Sequence, residues 1–376
     1  MTTYDVLIIG AGASGLAAAA AALERGLKTA ILERNDAPAR KLRATGNGRC
    51  NYSNTDASGS ALVVDRLRQL AGIEPAEEEG RIYPRSFEAS SVAEALADVV
   101  SDADLILNAR AVSAEKNEDI FTVRTEDGRS FASRALILAC GGKAGIQYGC
   151  YGDGYKIAGA FGHSVERPIP ALDAMVCAEG TESLHGVRVR AKATLSREGG
   201  KDLQGEPVRQ DALPVSEEGE VQFTRNGISG ICVMDLSRYL KLEAGSTFTL
   251  SLDLFPEKTE EELEELLARR RRIFGAGLKG LVPEKLAEYI EEPEKDRSAK
   301  DLRFTITGTR GWKTAQVTRG GVLLSQVDPR TFESVICKGL YITGELLDYD
   351  GPCGGFNLNW AFLTGLAAGE NAGKEG

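Results

Sequence analysis

Three glycines and one acid mark the place where this chain could hold a phosphate-bearing ligand. Gly10, Gly12 and Gly15 form G-x-G-x-x-G within "GAGASG", and Glu33 stands 18 residues after Gly15. The pattern alone is weak, and its neighbours decide its meaning. "YDVLIIG" before it reads as a short buried strand, "LAAAAAALERG" after it as a strong helix former that stops at Gly26, and "KTAILE" as a second strand delivering Glu33. In such a βαβ unit Gly10 allows the tight turn, Gly12 lets backbone approach a pyrophosphate, and Gly15 lets helix and strand pack closely. Glu33 can accept both hydroxyls of an adenosine ribose, and its carboxylate repels a 2′-phosphate. The spacing therefore points to FAD or NAD rather than NADP.

A second candidate lies near the other end, in "ELLDYDGPCGGFNLNWAFLTGLAAGENA", residues 345 to 372. Gly351, Pro352, Gly354 and Gly355 precede a segment in which Leu358, Trp360, Ala361, Phe362 and Leu366 make one apolar side, predicting a helix that starts at Asn357. Its N-terminus offers free N–H groups and a positive dipole end to an anionic or electron-rich ligand. Between the two motifs, residues 36 to 54 form a Gly-rich basic loop. There Arg40, Lys41, Arg43 and Arg49 surround Gly46 and Gly48. This composition can hold a pyrophosphate by charge and backbone donors, or can simply be a solvated basic loop.

A second G-x-G-x-x-G, "GAGLKG" at 275 to 280, has the wrong neighbours. A helix precedes it: Thr259 with Glu262 makes a capping box, and acids lie near its start and Arg269 to Arg272 near its end. Leu263, Leu266, Leu267 and Ile273 are its expected buried side. With no strand before it and no acid-terminated strand after it, this copy reads as a helix stop and connector. One dinucleotide site is expected.

The remaining chain must position these residues. A helix is expected around 91 to 100, then strands with hairpins about Glu118–Asp119 and Asp127–Gly128, then the buried strand "RALILA" leading to Cys140, Gly141 and Gly142. From about residue 168 the character shifts to alternating β segments such as "VRVRAKATLS" and "STFTLSLDL", followed by a helical stretch over 259 to 290. Doubly wound character returns at "KGLYITGE", residues 338 to 345. The expected fold class is α/β, with a discontinuous first domain over 1–167 and 311–376 and an inserted α+β domain over 168–310.

Bulk numbers narrow the function classes. Hydrophobic residues at 42% and charged residues at 27% are an ordinary soluble balance, and the net charge of -10 disfavours an extended nucleic-acid surface. Seven scattered cysteines without C-x-x-C indicate a reducing, cytoplasmic setting and exclude a dithiol redox motif. Two histidines and no zinc spacing give no metal site. Residues 6 to 23 are uncharged but broken by glycines and follow no basic segment, so they read as strand, turn and helix rather than as a signal or membrane span.

Seven blocks in order, "DVLIIGAGASG" with Glu33, "RKLRATGNGRCNYSN", "GRIYPRSFEAS", "LILACGG", "YGDGYKIAGAFGHSV", "VQFTRNGISG" and the run from "AQVTRGGVLLSQ" to "NLNWAFLTG", resemble the BaiN-like flavoprotein family. That group takes in NAD(P)/FAD-dependent oxidoreductases, aminoacetone oxidases and dehydro-bile-acid reductases. The resemblance implies a glutathione-reductase-like FAD-binding Rossmann domain interrupted by an insertion with a β-barrel-like part and a helical part. It implies that Gly10, Gly12, Ala13, Ser14 and Gly15 bind the FAD pyrophosphate, Glu33 the adenosine ribose, and that Arg34 flanks the adenine. Arg40, Lys41 and Asn51 would line the pyrophosphate and flavin side, and Val112 would meet adenine through its backbone. Gly344 and Glu345 would face the ribityl chain, and Gly355, Phe356, Asn357 and Leu358 the flavin pyrimidine ring. Two departures bear on the substrate: the segment between Asn54 and Gly80 is shorter than is usual in the family, and Cys353 stands where a non-thiol residue is expected.

The expected activity is FAD-mediated hydride transfer to a small organic or enone- or steroid-like substrate, with NAD(P)H as a transient donor. An amine oxidase using oxygen on an aminoacetone-like substrate is the alternative. From another class comes a flavin-binding protein that modifies RNA or senses redox state. No catalytic residue is assigned; His185 and Tyr349 are the candidates for proton transfer.

Overall fold

A computed structural model describes residues 3–199, 213–241, 246–293 and 295–373. The chain divides into two compact units, Met1–Ile169 with Val317–Gly376, and Pro170–Gln316.

The first unit is built on a seven-stranded sheet. Strand β1 (Thr3–Ile9) lies between β2 (Thr29–Leu32) and the strand Ser130–Leu138, and all three are parallel. Asp104–Ile106 extends the parallel set beyond β2, and Leu340–Ile342 joins it beside Ser130–Leu138. The last pairing explains how a discontinuous domain closes: the returning chain supplies a strand that pairs with Ser130–Leu138 and whose three residues are all buried. Val6, Leu7 and Ile8 are fully buried, as a parallel strand covered on both faces requires. An antiparallel meander, Ala111–Asn117 and Ile120–Thr125, completes the sheet, with turns at Glu118–Asp119 and Asp127–Gly128. The helix expected over 91 to 100 spans Ala89–Val99.

Helix α1 (Ala13–Glu24) follows β1 directly and is buried along most of its length. It packs on the C-terminal helix Phe356–Asn371 through a spacing not singled out in the sequence, Gly365 and Gly369. A Cβ on Gly365 would stand 2.2 Å from the Ser14 carbonyl oxygen, and one on Gly369 would stand 2.2 Å from that of Ala18. The contacts advance in the same sense along both chains, so the two helices run side by side with their N-termini toward the same end. The shortened segment 55–80 is ordered as the helix Ser60–Ala71 and the strand Pro75–Glu78. The latter joins Arg81–Pro84 and Ser53–Asn54 in a small antiparallel sheet.

The second unit is a closed six-stranded barrel. Its strands are Met175–Cys177, Arg188–Gly199, Val215–Thr224, Gly227–Ser229, Ser246–Asp253 and Leu302–Thr309. Alternate residues fill the interior: Ala191, Ala193 and Leu195, then Phe248, Leu250 and Leu252, then Leu302, Phe304 and Ile306. The helices Glu260–Phe274 and Glu284–Ile290 belong to this unit. Thr259 Oγ1 accepts from Glu262 N at 3.2 Å while Thr259 N donates to the Glu262 carboxylate at 2.9 Å. Thr259→Ala is expected to cost about 1 kcal/mol, seen as an earlier urea midpoint with an unchanged slope. Leu263 and Leu267 are buried and Leu266 partly so, but Ile273 is 61% exposed, contrary to the expected apolar face. The helix stops two residues later, at Gly275 with φ +73°, before another turn can cover that side chain. "GAGLKG" is thus a helix stop and turn: the Arg270 side chain donates to the Gly277 carbonyl at 2.9 Å, and Gly277 N–H donates to Glu291 at 2.9 Å.

Candidate dinucleotide site of the first unit

Each glycine of the first motif has a distinct job. Gly10 has φ +108°, and a Cβ there would stand 2.4 Å from the Ala139 carbonyl oxygen. A Cβ on Gly15 would stand 1.9 Å from the Gly10 carbonyl oxygen. Only hydrogen fits at these two positions. Gly12 differs: its φ of -85° is open to any residue, and a Cβ there meets no heavy atom within 4 Å. Nothing in the protein demands glycine at Gly12, which is what a cradle for a closely approaching ligand looks like.

Gly12 is also the N-cap of α1, and no side chain caps the helix. The first intrahelical bond to form is from Leu16 N–H to the Gly12 carbonyl at 2.9 Å, which leaves Ala13, Ser14 and Gly15 at the open positive end. Ser14 Oγ accepts from Thr343 Oγ1 at 3.2 Å.

Glu33, only 6% exposed, sits at the end of β2 beside this turn. One carboxylate oxygen accepts from Ala11 N at 2.9 Å, and the other from the backbone N and side-chain Nδ2 of Asn35 at 2.8 Å each. The carboxylate is therefore aimed and fixed, with lone pairs remaining for further donors. Arg34 pairs with Asp153 at 2.6 Å and lies over the Tyr151 ring at 4.4 Å, while Arg110 grips the same Asp153 at 2.9 Å. Burial opposes ionisation of Asp153, but the Arg110 and Arg34 guanidiniums outweigh it and hold its carboxyl below the usual range. Arg34 and Arg110 also line an open cleft of about 270 Å³ with Asn108, Glu126 and Asp127. Val112 falls at an irregularity between Ala111 and Ser113, where the pairing register shifts.

The basic loop does not converge on one point. Residues 40–43 form a helical turn, and the four cations diverge. Arg40 meets Asn35 at 3.2 Å, Lys41 meets Glu345 at 2.6 Å, Arg43 meets Glu94 at 3.2 Å and Arg49 meets Glu78 at 2.7 Å. Lys41 is the member drawn into the interior. Burial disfavours its charge, yet Glu345 more than compensates and raises its pKa. The other Glu345 oxygen accepts from Thr318 N at 2.8 Å. Asn51 lies against Gly46.

The Gly344 N–H is used internally, donated to Thr364 Oγ1 at 2.9 Å, and its carbonyl accepts from the Trp360 indole at 3.2 Å. At the C-terminal helix the N-cap is Gly355, with φ +104°, and a Cβ there would stand 2.2 Å from the Ser53 carbonyl oxygen. No side chain caps this helix either, and its first turn carries no acid. Asn357 spends its side chain on the preceding turn, accepting from Gly351 N at 2.8 Å and donating to the Gly351 carbonyl at 2.9 Å. Phe356, Asn357 and Leu358 therefore present backbone N–H groups. Leu358 is packed against the core. Cys353, half-buried, lies in the turn just before the N-cap.

From the Ser14–Gly365 crossing, the C-terminal helix extends roughly 12 Å further toward this end than α1 does, at 1.5 Å per residue. Two uncapped positive helix ends, staggered along one direction, thus accompany one fixed carboxylate. This suits an extended ligand with a pyrophosphate in its middle and an electron-accepting ring at one end. Of the proton-transfer candidates, Tyr349 stacks on Trp360 with ring centroids 4.3 Å apart, and His185 lies exposed in the second unit. Sequence reasoning missed Asn35, which holds the Glu33 carboxylate from two residues away, and Asp153 and Thr318, whose partners lie far along the chain. Among the described residues, no helix is long and apolar enough to cross a membrane and no metal cluster occurs.

Comparison with known proteins gives the lineage. The family model described as "HI0933-like protein Rossmann domain" matches residues 4–73 and 66–371. A 3-dehydro-bile acid delta(4,6)-reductase of Clostridium scindens is 32% identical over 98% of this chain and 98% of its own. A ribosomal RNA dihydrouridine synthase of Escherichia coli is 27% identical over 99% and 98%. Among solved structures, a 3-ketosteroid delta1-dehydrogenase of Sterolibacterium denitrificans shares the fold with a TM-score of 0.51 and 14% identity, over 98% of this chain and 99% of its own. A family model and a 32% identical relative that both span nearly the whole chain make the conclusion plain: the chain is a flavoprotein oxidoreductase and belongs to the HI0933-like Rossmann family.

Proposed function

We propose that the chain binds FAD along the two helix ends and uses it to reduce a carbon–carbon double bond conjugated to a carbonyl, with NAD(P)H as a transient donor. The observation that carries the reading is the staggered pair of uncapped helix N-termini beside the fixed Glu33 carboxylate. In this reading Ala13 to Gly15 hold the pyrophosphate, Glu33 the adenosine ribose, and Arg34 with the Val112 backbone the adenine. Lys41, Arg40 and Asn51 line the middle of the cofactor, and Gly344 with Glu345 its ribityl chain. Gly355 to Leu358 meet the ring. When bound, FAD supplies a two-electron carrier that accepts and returns a hydride. The open end of the C-terminal helix stabilises negative charge on the pyrimidine edge of the ring.

The names of the two relatives support the substrate chemistry, because a delta(4,6)-reductase of a keto bile acid and a dihydrouridine synthase both saturate a double bond conjugated to a carbonyl. The net charge of -10 favours a small molecule over RNA for this chain. A donor bound only in passing fits the fate of "GAGLKG", which is a helix stop.

The test is anaerobic reduction of the bound flavin by NADH or NADPH, then mixing with a steroid 4-en-3-one or a uridine-containing RNA, and, separately, mixing of the oxidised protein with aminoacetone in air without a nicotinamide. Reoxidation by the enone at catalytic rate is expected. Peroxide formation with aminoacetone, and no reaction with the enone, would replace the reading with amine oxidation. Gly277→Val, whose Cβ would meet the side chains of Glu291, Arg271 and Leu267, is expected to leave flavin content unchanged; flavin loss in that variant would mean that "GAGLKG" takes part in binding.

A further inference from the structure

We propose that Arg81 is the cation set against the pyrimidine edge of the flavin, and that it tunes how readily that edge takes on negative charge. The inference rests on the FAD reading above and gives a role to a residue of the block "GRIYPRSFEAS" that this reading leaves without one.

The small antiparallel sheet places it. Arg81 opens the strand Arg81–Pro84 and pairs across to Asn54. Asn54 in turn donates from Nδ2 to the Gly354 carbonyl at 2.8 Å, and the neighbouring Ser53 carbonyl occupies the space a Gly355 side chain would need. The strand and the start of the C-terminal helix are thereby locked together. Arg81 Nε stands 3.6 Å from the position of a Gly354 Cβ, so its guanidinium lies alongside the residue that immediately precedes the N-cap.

What singles Arg81 out is its lack of a partner. It is half-buried, yet among the described residues its guanidinium makes no hydrogen bond or ion pair. Its neighbours in the domain behave differently: Arg34 and Arg110 share Asp153, Arg43 meets Glu94, and Arg66 meets Glu24 and Glu370. The carboxylate best placed to neutralise Arg81 is Glu78, directly opposite it in the ladder, and Glu78 is taken by Arg49 at 2.7 Å. A cation that water still reaches, beside a helix end that is itself positive and lacks acids, leaves a concentration of positive charge that an electron-rich ligand edge would complement. The ring edge that gains negative charge as the flavin is reduced is such an edge.

Sulfite probes this charge without a substrate. Its sulfur lone pair forms a bond to N5 of the oxidised ring, and the displaced electron pair settles on N1 and O2, so the adduct is held more tightly where a cation faces that edge. Wild type, Arg81→Met, Arg81→Gln and Arg81→Lys are purified as holoproteins, and FAD content is measured first. Wild type without FAD would overturn the function reading itself. With FAD present, both neutral variants are expected to keep it and to bind sulfite roughly tenfold more weakly. The same tenfold loss lowers the two-electron midpoint potential by about 30 mV, and Arg81→Lys recovers most of both. Arg81→Gln keeps the polarity of the side chain and covers the case in which Arg81→Met does not fold. Wild-type sulfite affinity and potential in a neutral variant would overturn the role of Arg81. So would a change confined to the KM for an enone, which would place the guanidinium on the substrate.

Discussion

Gly12→Val is expected to purify as a folded protein that holds no flavin. The backbone at Gly12 is open to valine, at φ -85° and ψ -169°, and its Cβ would meet no protein atom within 4 Å. The fold therefore has no reason to object. The branched side chain instead fills the space in front of the Ala13 to Gly15 N–H groups, where a pyrophosphate must come close. A loss of FAD affinity of about 100-fold or more, roughly 3 kcal/mol, is expected. Gly15→Ala provides the contrast within the same motif. Its methyl group would stand 1.9 Å from the Gly10 carbonyl oxygen, and relieving that overlap costs on the order of 1–3 kcal/mol of fold stability. The flavin-to-protein absorbance ratio and a thermal melt separate the two outcomes. A yellow Gly12→Val protein at the wild-type ratio would remove the pyrophosphate from this turn.

The second large effect is at Glu33. Glu33→Arg is expected to abolish FAD retention, since it replaces the ribose acceptor with a cation. The carboxylate has a structural task as well. It satisfies Ala11 N and two donors of Asn35, and with 6% exposure little water can replace it. Leaving buried donors unsatisfied costs roughly 1–3 kcal/mol each, so Glu33→Arg is expected to melt well below wild type. Glu33→Gln is the cleaner variant. It keeps one acceptor and the shape, and is expected to fold while binding FAD at least about tenfold more weakly, consistent with loss of one charge-assisted hydrogen bond. Equilibrium dialysis of FAD alongside the melt reads both effects. Unchanged affinity in Glu33→Gln would detach the ribose from this residue.

These two sites were legible in the sequence because their physics is local. A tight turn, a helix start and a strand end lie within one βαβ unit, and each glycine answers to atoms a few residues away or to the adjoining strand. The start of the C-terminal helix was legible for the same reason. The pairing of that helix with α1 was not, because Gly365 and Gly369 acquire meaning only against Ser14 and Ala18 at the far end of the chain. The basic loop shows the limit most clearly. Four cations close in sequence suggested one anion site, yet Lys41, Arg43 and Arg49 are each turned by an acid from elsewhere, 304 residues away in the case of Lys41 and Glu345, while Arg40 meets the nearby Asn35. In the second unit the alternation of "VRVRAKATLS" and "STFTLSLDL" revealed strands, which span Arg188–Gly199 and Ser246–Asp253. Closure into a barrel was expected only from the family resemblance and not from the residue pattern, because it depends on the three-residue strands Met175–Cys177 and Gly227–Ser229, too short to carry a pattern. Ile273 was misplaced because apolar spacing was extended to the last turn of a helix that stops too soon to bury it.

The most direct test of the central claim is the visible absorption spectrum of the purified wild-type protein, with chromatography of whatever heat releases. A two-banded flavin spectrum with FAD as the released compound is expected, near one per chain. A colourless protein that cannot be reconstituted with FAD would contradict the assignment of the two helix ends and Glu33 to a flavin dinucleotide.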